Sequence, residues 1–372
     1  MSKYQIDLSK FMRLGMLWLI LAACTANVCN SFFTKWGLRE KTTYVSLESV
    51  INNSAFQPYV YRGTIPRLVD QAVSHIDEKT QLKLYKSITA SDVLKNHFFN
   101  GVPAEAWTPR LALDYHLMYA LIMIAFLVIL IYLRKIYLHF KQGYTGSLLA
   151  IILFSLLYPL LFNHGAYFYD FFELLGLTLS TYFFLKNHKL FASAILILTA
   201  FNKETAFVAA FGFFFLHEKD YSFNKRVFYF IFQISLCLLV RHWIMAPYAN
   251  NTDSALHFHL VDNLIYWLNP LHYLKVVNVY AIGMYAPALE NIFLISWLLI
   301  WVRFGWKSLT TTLKQFTLGI FIPNFMLFFT FGSRDEFRNL SLSLLAIYIL
   351  LIHGFDSFKN WLDDSVNQTL KK

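Results

Sequence analysis

The chain has 372 residues, 57% of them hydrophobic and only 15% charged, a balance that excludes an ordinary soluble domain. Repeated apolar runs of about 18 to 25 residues are the mark of transmembrane helices. The net charge of +10 is scattered over the ends of those runs, so it reads as a positive-inside signal and not as a nucleic-acid surface.

Lys3, Lys10 and Arg13 precede a first span at about Phe11 to Phe33. It holds Cys24 and Cys29; with Cys237 these are the three cysteines, and no disulfide framework is visible. Leu21-Ala22-Ala23-Cys24 resembles a lipoprotein cleavage box, but apolar residues continue past it and an intact span is expected.

Residues 34–108 read as a long outer loop with short helices, for example Leu68 to Ile76 and Gln81 to Phe99. Within it, Gln57-Pro58-Tyr59-Val60-Tyr61-Arg62-Gly63-Thr64-Ile65-Pro66 is held to a non-helical course by its prolines and glycine. Aromatic rings beside Arg62 suit a sugar face and the guanidinium suits a phosphate; an interfacial belt with a snorkelling arginine would use the same residues. Glu40, Glu48 and Asp70 lie in this loop, undistinguished by spacing.

Further spans are expected at Leu113 to Leu133, Gly146 to Phe162 and Tyr167 to Leu185. His164 lies between the last two as a candidate proton carrier or binding residue. Asp170 and Glu173, three apart, share one helix face, where a carboxylate can act as a general base or complement the helix dipole.

Residues 190–216 are interrupted at Asn202-Lys203-Glu204-Thr205. Each half, at ~18 Å of helix, is too short for a ~30 Å hydrocarbon core. Basic residues flank both sides, which favours a two-helix hairpin with its tip partway into the membrane. Asn202 or Thr205 is expected to cap the returning helix, and Lys203 to add charge to an anion site there.

The span Val227 to Met245 carries Arg241-His242 near its far end, expected partners for one of the acids. A second large outer loop covers 247–285, and spans follow at Ala286 to Val302, Phe316 to Phe331 and Leu340 to Phe355. Between the last two lies Arg334-Asp335-Glu336-Phe337-Arg338. Its arginines are suited to clamp a phosphate, although an interhelical salt bridge would use the same types.

The sum is a single-domain, all-α polytopic membrane protein spanning 1–372, with about eight full transmembrane helices plus a two-helix broken hairpin. Placing the amino terminus inside leaves every basic flank and both termini cytoplasmic, with the ion clusters facing the other side. A charge at the edge of hydrocarbon marks a site by default. No nucleotide-binding, zincin or lipase motif is present.

The long first outer loop, Pro58-Tyr59-Val60-Tyr61-Arg62, the Asn202-Lys203-Glu204-Thr205 break and the late Glu336-x-Arg338 pair together resemble the GT-C superfamily of polytopic glycosyltransferases. The resemblance implies transfer of a sugar from a polyprenyl-phosphate carrier to a glycan, lipid or protein acceptor at the outer membrane face. A bacterial inner membrane with the site toward the periplasm is expected, and a reticulum membrane would present the same topology. The lipid-linked donor is then a substrate, no cofactor is expected, and polysaccharide-assembly proteins are possible partners. Arg62, Lys203, Arg241, His242, Arg334, Arg338 and His164 are the expected binding residues, and Asp170, Glu204, Glu336 and Glu48 the catalytic candidates. The chain departs from the family in having no acidic pair soon after span one, so Glu40, Glu48 and Asp170 all stay open as the base. A transporter or flippase of a lipid-linked or anionic solute, or a polysaccharide polymerase or ligase, would share much of this organisation.

Overall fold

A computed structural model describes residues 8–90, 92–162, 164–216, 221–249, 257–279, 284–287, 290–334 and 336–370. The chain begins with α1 (Leu8–Lys35), followed by the short helices α2 (Leu47–Ile51), α3 (Thr64–Ser74), α4 (Glu78–Ile88) and α5 (Val93–His97). Longer helices come next: α6 (Pro109–Phe140), α7 (Tyr144–Leu161), α8 (Phe168–Leu185), α9 (Lys189–Ala200), α10 (Ala209–Leu216) and α11 (Phe223–Met245). After α12 (Leu260–Leu268), an antiparallel hairpin pairs β1 (Val276–Val279) with β2 (Met284–Pro287). The last elements are α13 (Glu290–Gly305), α14 (Thr311–Phe331) and α15 (Leu344–Leu370).

Among the described residues, six helical stretches are long and apolar enough to cross a membrane: Phe11–Lys35, Pro109–Phe140, Tyr144–Leu161, Phe223–Tyr248, Thr311–Phe331 and Phe337–Trp361. The protein is thus mostly helical and of the multi-pass membrane type. Two of the eight full spans expected from sequence are not in that set, for separate reasons. The α8 helix carries Asp170 and Glu173 in its opening turns. The α13 helix is 16 residues long because the chain before it is spent on β2. The first loop also differs in detail. The helix expected over Gln81 to Phe99 is split into α4 and α5, where Asp92 adopts a left-handed backbone with φ 45°.

Aromatic rings fill the centre where α1, α6, α7 and α8 meet. Phe32 lies edge-on to Phe171 at 4.9 Å, and Phe126 stacks on Tyr158 at 5.4 Å. The Tyr348 hydroxyl donates to the Leu133 carbonyl at 3.1 Å, fastening α15 to α6. Small residues let α13 and α15 touch backbone to backbone: a Cβ on Gly305 would stand 2.3 Å from the Leu350 carbonyl oxygen. Gly305→Ala should therefore lower stability by about 1–3 kcal/mol, seen as a reduced midpoint in thermal unfolding of the detergent-solubilised protein.

The two ends of the bundle differ. At one end Lys141 pairs with Asp356 at 2.6 Å, and Lys189 and Lys225 each lie 4.2 Å from the Tyr221 ring. Starting from that end, α9 and α11 run parallel: Gln233 donates to Ser193 at 2.7 Å, and Trp243 meets Phe201 at 5.9 Å near the far ends. The chain therefore turns back between α9 and α11, reversing at the Asn202–Thr205 break. The other end gathers that break, the first loop, the start of α8 and the 336–341 turn.

Candidate functional site

The start of α8 organises this end. Asp170 Oδ2 accepts from the Tyr167 amide at 3.1 Å, so the carboxylate caps its own helix, as the positive end of the helix dipole favours. Its Oδ1 accepts from Lys203 Nζ at 3.0 Å. The same ammonium donates to Glu173 Oε2 at 2.8 Å, one turn further along α8. Glu173 is 0% exposed and fully engaged: Thr205 Oγ1 donates to it at 2.8 Å and Ser341 Oγ at 2.7 Å. The three-residue spacing of the acids is what allows one lysine to bridge both.

Arg338 approaches from the turn before α15. Nη1 lies 3.5 Å from Asp170 Oδ2, Nη2 donates to Glu336 Oε2 at 3.1 Å, and the guanidinium sits 4.4 Å above the Tyr167 ring. Gly165 leaves room for this pair, since a Cβ there would meet Glu336 Oε1 at 3.1 Å and Arg338 Nε at 3.2 Å. Arg338 is buried, yet its Nε and Nη1 have no hydrogen-bond partner among the described residues. Nη1 has the ion pair with Asp170, but a buried charged donor such as Nε without an acceptor costs about 1–3 kcal/mol or more unless something else supplies an oxygen atom.

From the first loop, Arg62 clasps Glu204 with both Nε, at 2.9 Å, and Nη2, while Nη1 donates to the Tyr169 hydroxyl at 3.1 Å. Burial works against the Arg62 charge, but the Glu204 carboxylate, Tyr169 and Tyr61 together outweigh it and hold the guanidinium well above its ordinary value. Burial, reinforced by Glu204, pushes the neighbouring Tyr61 hydroxyl up to about 12, so it stays protonated at neutral pH. Thr64 Oγ1 donates to the Phe201 carbonyl at 2.6 Å, a second tie between loop and break.

Most of the residues expected from sequence thus share one end of the bundle, and Asp170, Lys203, Arg338 and Glu336 form one continuous chain of contacts. Arg241 is half-buried and shares a small gap with Lys203 and Glu204, its Nε 3.3 Å from Met245 Sδ. Arg39 lies 4.5 Å over the Tyr167 ring. Counting both, five cations (Arg39, Arg62, Lys203, Arg241, Arg338) stand against four carboxylates (Asp170, Glu173, Glu204, Glu336), an excess of one positive charge.

Arg334, His242 and Glu48 make no hydrogen bond or ion pair with this network among the described residues. Arg334 is exposed, and its backbone carbonyl accepts from Trp267 Nε1 at 3.2 Å; Asp335 lies outside the described residues. His242 is exposed, His164 is half-buried in the loop before α8, and Glu48 lines a separate cleft. Glu40 folds back onto the Leu38 amide at 3.0 Å, and burial pushes its carboxyl up. Neither Asn202 nor Thr205 caps the returning helix. Asn202 donates instead to the Tyr169 carbonyl at 2.7 Å, and Thr205 to Glu173 at 2.8 Å, so both side chains turn toward α8. Sequence reasoning passed over Tyr169, Ser341 and Arg39, which carry no spacing signal.

Beside Arg338, between α7, α13, α14 and α15, lies a chamber of about 490 Å³. Every residue lining it is aliphatic or aromatic, among them Phe154, Tyr158, Trp297, Phe328, Leu344 and Tyr348. Tyr158 and Leu161 also line a small gap that reaches Asp170, Arg338 and Ser341, so these two side chains stand between the greasy chamber and the buried guanidinium.

Comparison with protein-family models, curated proteins and solved structures returned no match. Among the described residues no three His, Cys, Asp or Glu side chains are grouped to hold a metal ion.

Proposed function

We propose that the protein is a membrane glycosyltransferase that takes a sugar from a polyprenyl-phosphate carrier at the non-cytoplasmic face. The observation that carries this reading is the apolar chamber separated by Tyr158 and Leu161 from buried Arg338, whose Nε has no acceptor among the described residues and whose Nη1 has only the 3.5 Å ion pair with Asp170. An isoprenoid tail suits the chamber, and a phosphate oxygen suits the waiting fork. In such a transfer the acceptor hydroxyl attacks the anomeric carbon, the bond from that carbon to the phosphate oxygen breaks, and the phosphate leaves with the electron pair and takes up the hydroxyl's proton. Fixed positive charge must meet that leaving group, and Arg338 supplies it in a site shielded from water. Asp170, Glu204 and Glu336 are each paired with a cation, which makes them poor bases and good anchors for the cations.

The membrane topology belongs to the same proposal. The lysine-rich end, with Lys141, Lys189 and Lys225, faces the cytoplasm, both termini with it, and the reversal at Asn202–Thr205 is re-entrant. A bacterial inner membrane, with the site toward the periplasm, fits this orientation.

Proteoliposomes given a labelled polyprenyl-phosphate sugar and a mixed glycan acceptor should release carrier phosphate. Arg338→Gln should slow that release by ~10²–10³, the cost of losing one preorganised oxyanion donor. Leu157→Trp, in the chamber wall, should weaken donor use without touching the charges. A second reading, a transporter of the same solutes, is favoured by the helix break with its charged midpoint. Solute flux without a covalent product would decide for it.

A further inference from the structure

A second recess lies on the same side of the molecule, where the first loop meets the start of α6. It encloses about 420 Å³ and is bordered by Glu48, Asn52, Asp70, Thr108, Arg110 and Asp114. Arg110 is committed to Asp70, with Nε at 2.8 Å and Nη2 at 2.6 Å from Oδ1. Thr108 Oγ1 accepts from the Leu111 amide at 3.3 Å as the cap of α6. That leaves Glu48 and Asp114 without an ion pair among the described residues, Arg110 acting on Asp114 only at longer range. Asp114 is the unusual member: it is 1% exposed, it borders the recess, and its Oδ1 has no hydrogen-bond partner among the described residues. A carboxylate held out of water with an oxygen unclaimed demands a donor, and a cationic one most of all.

A metal ion does not answer that demand, because the acids do not converge into a metal-binding group among the described residues. No aromatic ring borders the recess to stack on a neutral sugar. We infer that this recess binds a primary ammonium group, held by Asp114 and Glu48, with Asn52 and the Asp70–Arg110 pair available to hydroxyls or a short polar chain beside it. The volume admits a ligand of about monosaccharide size. The ammonium has two natural sources, an amino sugar or the ethanolamine of a lipid headgroup, and both present the same charge and the same three donors.

This inference does not depend on the transfer reading, and its test uses no lipid-linked sugar. Purified full-length protein in detergent is titrated with glucosamine, ethanolamine and N-acetylglucosamine, with thermal unfolding as the readout. Glucosamine or ethanolamine should raise the midpoint in a saturable way, the stronger of the two naming the source, while N-acetylglucosamine, which has no ammonium, should not. Asp114→Asn should weaken amine binding at least ~10-fold, the loss of one charge-assisted hydrogen bond. If Asp114→Asn does not fold, Glu48→Gln, at a half-buried position, must still weaken it. Equal response to N-acetylglucosamine, binding unchanged in these variants, or no response to either amine overturns the inference.

Discussion

Lys203→Met is expected to destabilise the protein by about 3–5 kcal/mol, the cost of removing one partner from a buried ion pair. The loss will fall on Glu173 and not on Asp170. Asp170 keeps Arg338 at 3.5 Å and the Tyr167 amide at 3.1 Å. Glu173 keeps only the hydroxyls of Thr205 and Ser341, and is 0% exposed, so no water replaces the lost ammonium. Glu173→Gln added to Lys203→Met should therefore restore much of the stability, since a neutral amide oxygen still accepts from either hydroxyl. Unfolding of the four proteins in detergent gives the coupling energy, expected above about 1 kcal/mol for groups in direct contact. Simple addition of the two single costs would show that Lys203 and Glu173 do not act as a pair.

Arg62→Ala should cost a similar amount, about 3–5 kcal/mol, and should also loosen the first outer loop. Arg62 and Glu204 are 142 residues apart, and their paired contact is one of two ties between that loop and the helix break. With the arginine gone, Glu204 is left nearly buried, with Lys203 beside it and Arg241 across the small gap they share. Arg62→Lys keeps the charge but not the planar fork, and should fall between wild type and alanine. The local effect can be read by limited trypsinolysis at Lys79, Lys83 and Lys86 on α4, a helix with no buried residue. Cleavage there should quicken in Arg62→Ala. An unchanged rate would mean that apolar contacts alone, such as those of Val60 and Val69, dock the loop.

These two predictions also show where sequence reading stopped. Lys203 and Glu204 stood out because a charged pair interrupts an apolar run, and Arg62 because prolines and a glycine frame it. Nothing in the spacing said that adjacent Lys203 and Glu204 would turn to different partners, one to α8 and one to the first loop. Adjacent residues on an extended turn point apart, so each takes the charge on its own side. Asp114 went unnoticed for the opposite reason. A single acid in the first turns of a long apolar helix looks like ordinary dipole complementation, and only its burial without a partner sets it apart.

The apolar runs and their basic flanks were enough, by themselves, to define an all-helical membrane protein with charged residues gathered at one set of helix ends. That much is local, because hydrocarbon thickness and the cost of a charge act on each segment independently. Which cation meets which carboxylate, which donors are left open at Arg338, and that an apolar chamber ends beside them were decided only by the packing of α7, α8, α13, α14 and α15. Two of these pairs, Arg62 with Glu204 and Arg338 with Asp170, join residues more than a hundred positions apart, and no periodicity within one segment encodes the distance between two others.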